Sequence, residues 1–134
     1  MGPVLDVVAA LIREGDRLLI AQRLPGKDQA LLWEFPGGKL EPGERPEEAL
    51  AREIDEELGI GIAVGPRFMV TEHATAARLV RLHAFWARAT SGSPRALQCH
   101  DWRWVTREDL ADFAYPPADL PIVEALRNLA AWPE

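Results

Sequence analysis

The sequence predicts an α/β chain in which helices pack on a mixed β-sheet. Two observations predict it. Short β-branched and apolar runs alternate with glycine- and proline-bearing breaks, as strands joined by turns do. Two longer segments carry apolar residues at helical spacing, with start and stop signals at their ends. The chain has 134 residues, 48% of them hydrophobic, which suits one domain, residues 1–134, with a sizeable core.

The elements follow in order. Val7–Ile12 and Arg17–Gln22 are strand-like runs flanking Glu14-Gly15-Asp16, a hairpin turn signal. Gly26–Gln29 is polar and loop-like, and Phe35-Pro36-Gly37-Gly38 and Glu41-Pro42-Gly43 interrupt any regular element. A helix is predicted from Pro46 to Leu58: Pro46 suits its first turn, Glu47 and Glu48 complement the N-terminal dipole, and Gly59 suits the left-handed residue after its end. Ile62–Thr71 and Arg78–Ala87 read as strands. In the second, Leu79, Arg81, His83 and Phe85 share one face and Val80, Leu82, Ala84 and Trp86 the other. Trp102–Val105 is a short strand, after which Thr106-Arg107-Glu108-Asp109 resembles a capping box opening a short helix. A last helix spans Leu120 to Ala131, with Pro121 in its first turn and Ile122, Val123, Leu126, Leu129 and Ala130 as its core-facing stripe.

Composition narrows the function. A net charge of −6 and a pI near 5.1 argue against nucleic-acid polymers as partners, which attract basic surfaces. A small anionic substrate remains open, provided cations bridge it to an acidic protein. No apolar run approaches the ~18 residues that span a bilayer. Met1-Gly2-Pro3-Val4 does not begin a secretory leader, and a single cysteine, Cys99, excludes an internal disulfide framework. Together these features suggest a cytoplasmic protein.

The helix at 46–58 carries Glu47, Glu48, Glu53, Asp55, Glu56 and Glu57 against one base, Arg52. Leu50, Ile54 and Leu58 can bury one side. Glu53, Glu56 and Glu57, at i, i+3 and i+4, share another. Like charges so spaced destabilise a helix by a few tenths of a kcal/mol per pair, and acids in the last turn oppose its dipole. A solvated acidic face is the plain alternative. The convergence of misplaced acids beside a glycine-rich turn points instead to hard divalent cations, Mg²⁺ or Mn²⁺, which need clustered oxygen ligands.

Gly38, Glu44, Arg52, Glu53, Ile54, Glu56, Glu57, Gly59 and Ile60 together resemble the Nudix signature, G-x5-E-x7-R-E-U-x-E-E-x-G-U, at every required spacing over residues 38–60. Chance agreement is rarer than about one in 10⁸ at average residue usage. Ala21-Gln22-Arg23, Asp28-Gln29-Ala30, Leu32-Trp33-Glu34-Phe35 and Tyr115-Pro116-Pro117-Ala118-Asp119 further resemble the MutT-type branch, particularly its bacterial CTP pyrophosphohydrolases. The resemblance implies a Nudix α/β/α sandwich, with a mixed sheet between helices. It also implies a metal-dependent hydrolase that splits a nucleoside triphosphate into monophosphate and pyrophosphate.

By the same resemblance Glu53, Glu56 and Glu57 are metal-binding carboxylates, and the Gly37 carbonyl is a further ligand. Glu53 orients or deprotonates the attacking water. Glu44 supports the site through water or by pairing with Arg52, and Arg52 steadies the cluster or forms an ordinary surface ion pair. Arg23, Arg78 and Lys39 are candidate phosphate contacts. Phe35 is a candidate base-stacking residue, with Trp33 and Tyr115 more readily core. Where MutT-type enzymes carry another carboxylate ligand this chain has Gln98, a weaker metal ligand, with His100 and Asp101 as neighbouring substitutes. His73 and His83 read as structural or solvent-facing.

Asp119 matches the position where the cytidine-directed enzymes carry Asp and the oxidised-guanine enzymes Asn. A carboxylate accepts hydrogen bonds from an exocyclic amine such as cytosine N4, but Asp before a helix is also a good N-cap. The expected substrates are CTP, dCTP or modified and oxidised nucleotides such as 8-oxo-dGTP, in nucleotide-pool sanitation. The alternatives are another nucleoside diphosphate linkage, as in ADP-ribose or dinucleoside polyphosphates, and a catalytically silent nucleotide-binding domain. The chain is expected as a monomer or homodimer.

Overall fold

The computed structural model describes residues 3–133. Met1 and Gly2, which open the stretch read above for a leader, lie outside the described residues, as does Glu134.

The sheet is built around β1 (Val4–Glu14). One edge of β1 runs parallel to β6 (Leu79–Ser91), from Val4 opposite Leu79 to Ile12 opposite Ala87. Its other edge pairs antiparallel with β4 (Gly37–Lys39) at Val7–Ala9, and its end turns into β2 (Arg17–Gln22). β2 in turn pairs with β3 (Trp33–Glu34) and β7 (Asp101–Thr106), while β5 (Gly61–Ala74) lies antiparallel to β6 at the edge.

Helices cover both faces. On α1 (Pro46–Leu58), Ala49, Leu50, Ile54 and Leu58 pack on Val8, Ala10, Ile12, Leu19 and Phe85. On α2 (Leu120–Asn128), Ile122, Val123 and Leu126 pack on Ala9, Leu11, Leu18, Leu82 and Trp86. Alternate residues of β1 therefore serve opposite cores, which is why that strand reads as an unbroken apolar run rather than an alternating one. This is the expected α/β/α arrangement, and the two faces of β6 divide as expected.

Four elements differ from the sequence reading. Gly37 and Gly38, read as a break, form β4 with Lys39, because their backbones pair antiparallel with β1. Arg78 is not a strand residue: its backbone N–H bonds the Thr75 hydroxyl at 3.1 Å, and the 75–78 turn joins β5 and β6. Thr106 still belongs to β7, so no capping box forms, and only a 3-10 turn, Leu110–Asp112, follows. The last helix stops at Asn128 and not at Ala131. Trp132 folds back to donate its indole N–H to the Leu126 carbonyl at 3.1 Å, and Arg107 bonds the Leu129 carbonyl, so tertiary partners take the last carbonyls. Leu129 still packs on the core, but Ala130 is exposed.

Ile54→Ala, at a fully buried contact of α1 with the sheet, is expected to destabilise the fold by roughly 2–5 kcal/mol, whereas Ala130→Ser stays within about 0.5 kcal/mol. Urea denaturation of the two variants checks both the core and the shortened helix.

Candidate active site

α1 is held at both ends. Glu48 accepts from the Arg45 backbone N–H at 3.1 Å, and Gly59, at φ 69°, turns its N–H back to the Asp55 carbonyl at 2.9 Å. The last turn has no basic residue, as the sequence indicates. Arg52 offsets part of the excess of acid. Its Nε and Nη2 each donate to Glu44 at 2.9 Å, in a bidentate pair, and its Nη1 donates to Glu53 at 2.9 Å. Glu44 thus acts by pairing with Arg52, and this hydrogen bond holds its carboxyl below the usual range. Glu56 is looser, 3.8 Å from Arg52 and half exposed.

The path of β4 brings these acids onto the sheet. A Cβ on Gly37 would lie 1.9 Å from the Val8 carbonyl oxygen, and one on Gly38 would lie 2.4 Å from the Glu53 carboxyl carbon. Only glycine permits both approaches. The result is a cleft of about 160 Å³, into which Gly37, Glu53, Glu57 and Gln98 face together with Arg23 and Glu34. Glu57 is buried, and its carboxyl is pushed up to about 8, chiefly by loss of solvent and then by the charge of Glu34, against the opposing Gly37 amide. The Glu57 carbonyl accepts the N–H groups of both Leu97 and Gln98 at 3.1 Å, which pins the 97–98 segment to the end of α1.

Arg23 enters from the end of β2. Its Nη1 donates to Glu34 at 2.8 Å and its Nε to the Asp28 carbonyl at 2.8 Å. Burial raises the Glu34 carboxyl and Arg23 opposes that rise. Beyond Glu34 stands Asp119, buried, with Oδ2 accepting the Phe35 backbone N–H at 3.4 Å. Burial, then the charge of Glu34, pushes its carboxyl up to about 8. Asp119 occupies the N-cap position of α2, yet its side chain makes no capping bond; its backbone carbonyl receives Ile122 and Val123 instead. The Thr71 hydroxyl steadies this corner by donating to the Ala118 carbonyl at 2.8 Å.

Other sequence candidates lie elsewhere. The Phe35 ring is buried and stacked on Tyr115 at 6.1 Å, so it has no free face for a base and contributes its backbone N–H. Trp33 is also core, edge-on to Phe113. Arg78, in its turn, and Lys39, exposed at the end of β4, do not line the cleft. Neither do His100 and Asp101; Asp101 accepts the Trp102 N–H at 2.8 Å. His83 bonds Asp6 at 2.9 Å, a structural role. Glu34, which links the two halves of the site, has no role in the sequence reading. Its one signal is an acid set between Trp33 and Phe35. Cys99 and Lys27 complete the lining unforeseen, the Cys99 thiol pushed up to about 11 by burial and nearby acids.

Among the described residues no three His, Cys, Asp or Glu side chains already converge as a metal cage. The donor set nonetheless fits a hard cation. Glu53, Glu57 and Gln98 offer oxygens to one cleft, and the buried Glu57 carboxyl gains most from a positive charge beside it. A larger cavity, of about 730 Å³, lies elsewhere and has no acid in its lining, so it cannot be this site.

Known proteins share this arrangement. The sequence profile of the NUDIX domain matches residues 7–125. The chain is 38% identical over 128 residues to the CTP pyrophosphohydrolase of Escherichia coli (strain K12), covering 96% of this chain and 95% of that one. It is 31% identical over 126 residues to the 8-oxo-dGTP diphosphatase of Haemophilus influenzae, covering 93% of each. The solution structure of the E. coli ORF135 protein superposes with a TM-score of 0.81 at 37% identity, over 95% of this chain and 93% of that one. The chain belongs to the Nudix family.

Two outcomes are expected. Gly38→Ala displaces the flexible end of Glu53 rather than backbone, so hydrolysis falls at least tenfold while the melting temperature moves by only a few degrees. Asp119 and Glu57 hold protons that the unfolded chain releases near its ordinary carboxylate range, so their contribution to stability is full at low pH and is lost as pH rises from about 4 towards 8. In EDTA the melting temperature therefore falls between pH 5 and 9, and Asp119→Asn flattens that fall; a parallel pH profile in the variant would refute the assignment.

Proposed function

We propose that this Nudix protein hydrolyses nucleoside triphosphates to the monophosphate and pyrophosphate, with cytosine nucleotides as preferred substrates. The observation that carries this reading is the line of acids from buried Glu57 through part-buried Glu34 to buried Asp119, which would run from a metal-binding face to a base-reading corner with Arg23 beside it. The similarity to a CTP pyrophosphohydrolase supports the choice of base.

Glu53, Glu57, the Gly37 carbonyl and Gln98 would hold the divalent cation, Mg²⁺ or Mn²⁺, with Glu56 at the rim. When bound, the cation supplies charge neutralisation at the phosphate oxygens. Glu53 orients the attacking water and takes its proton. Arg52, fixed by Glu44, holds the Glu53 carboxyl in place for that step. Arg23 donates to the phosphate chain, and the Glu34 and Asp28 bonds set its direction.

Burial pushes the Asp119 carboxyl up to about 8, and in its protonated form it offers one O–H donor and one acceptor oxygen. Cytosine presents the complement, the N3 acceptor and the N4 amine. Ionisation replaces the donor with a second acceptor and loses half of the match. Adenine presents the same donor and acceptor types on a larger ring, so the corner must also discriminate by size.

A panel of nucleoside triphosphates with Mg²⁺, scored by pyrophosphate release, tests the reading. CTP and dCTP should lead. Glu57→Gln should lower kcat by about 10²-fold or more. Asp119→Ala should abolish the base preference, Asp119→Asn should retain part of it, and the KM for CTP should rise above pH 8 only with Asp at this position. Turnover of ADP-ribose or dinucleoside polyphosphates alone, or of no nucleotide at all, would replace this reading with a different linkage or a silent binding domain.

A further inference from the structure

The larger cavity shares no lining residue with the catalytic cleft. At about 730 Å³ it falls within the range of small-molecule sites, roughly 300–1,000 Å³. It lies at the far end of β1: Val8 is opposite Gly38 of the catalytic face, and Arg13, on the cavity rim, is about 16 Å farther along at ~3.3 Å per residue.

The cavity is opened by a break in β5. The pairing with β6 shifts register between Val64 and Arg67 and again before Met69, around Gly65-Pro66. Such bulges bend a strand and re-aim its side chains. Phe68 lies edge-on to Trp86 at 5.3 Å and gives the cavity an aromatic floor. Arg13, Arg67 and Arg88 rim it, with no Asp or Glu among the described residues of the lining, in a chain with 21 acids and 15 bases. Among the described residues none of the three forms an ion pair, and the one side-chain bond of Arg13 goes to the Gly15 carbonyl at 2.7 Å. Blunting an edge strand accounts for Gly65-Pro66. It does not account for three arginines lining one cavity beside Phe68 and Trp86 in an acidic protein, an arrangement whose self-repulsion an anion would relieve.

We infer that this pocket binds a small organic anion with a planar ring, of the size and chemistry of a nucleoside monophosphate. The guanidinium groups of Arg67 and Arg88 take the phosphate, and Phe68, backed by the buried Trp86, takes the ring. The inference does not depend on the hydrolase reading, because no catalytic residue takes part.

Backbone amide NMR of the protein in EDTA, titrated with CMP, tests it. Resonances of residues 63–68 and 86–88 are expected to shift and saturate, and cytidine or ribose 5-phosphate should each bind about tenfold or more weakly than CMP there. The double variant Arg67→Ala/Arg88→Ala, exposed on both strands, should keep its spectrum and its hydrolytic rate but lose CMP binding at this site at least tenfold; Arg88→Ala alone should show a smaller loss. Shifts confined to residues around Arg23, Glu34 and Asp119 would overturn the proposal. So would equal binding by cytidine, or undiminished binding by the double variant.

Discussion

β4 lies so close to β1 that no side chain fits between Gly37 and the Val8 carbonyl, and a side chain on Gly38 would displace the Glu53 carboxyl that reaches it from α1. The rest of the site depends on that approach. It lets α1 set Glu53 and Glu57 over the sheet edge, and it places the Gly37 amide where it opposes the cost of burying Glu57. A larger residue at either position would push the helix or its carboxylates towards water. There the Glu57 carboxyl would regain solvent and leave the cleft it shares with Glu53 and Gln98. The acids of α1 are poor choices for a helix, with no base in the last turn, and good choices for a metal face.

Arg52 and Arg23 manage the resulting negative charge differently. Arg52 is committed to Glu44 and Glu53, which makes it a strut. Arg23 has one carboxylate partner and one carbonyl partner, and it stands at the mouth of the cleft, where a phosphate can share it. Between them the part-buried Glu34 raises the carboxyls of both Glu57 and Asp119, on top of the larger effect of their own burial. The enzyme is acidic overall, yet among the described residues the charged groups lining its second cavity are all arginines.

Much of this was legible in the chain. The caps of α1, its apolar stripe and the acids at 53, 56 and 57 follow from local spacing, and the pairing of Arg52 with Glu44 was one of two readings open to it. Where the reading failed, distant residues had intervened. Trp132 and Arg107 ended α2 before Ala130, and pairing with β2 kept Thr106 in a strand rather than a cap. Phe35 offered no sign that Tyr115 would cover its ring.

The sequence by itself determined the family, the acidic face of α1 and the two-sided core, because each is written in residues a few positions apart on one helix or strand. Only the tertiary structure decided what Asp119 does. A residue preceding a helix is expected to cap it, and here its carboxyl instead meets the Phe35 amide, 84 residues away in the chain. It likewise decided that Glu34 lines the cleft beside Arg23 and Glu57, and that Arg78 and Lys39 stay outside it. Burial and opposing charge set the chemistry of those groups, and both are properties of the packed surroundings that no local pattern records.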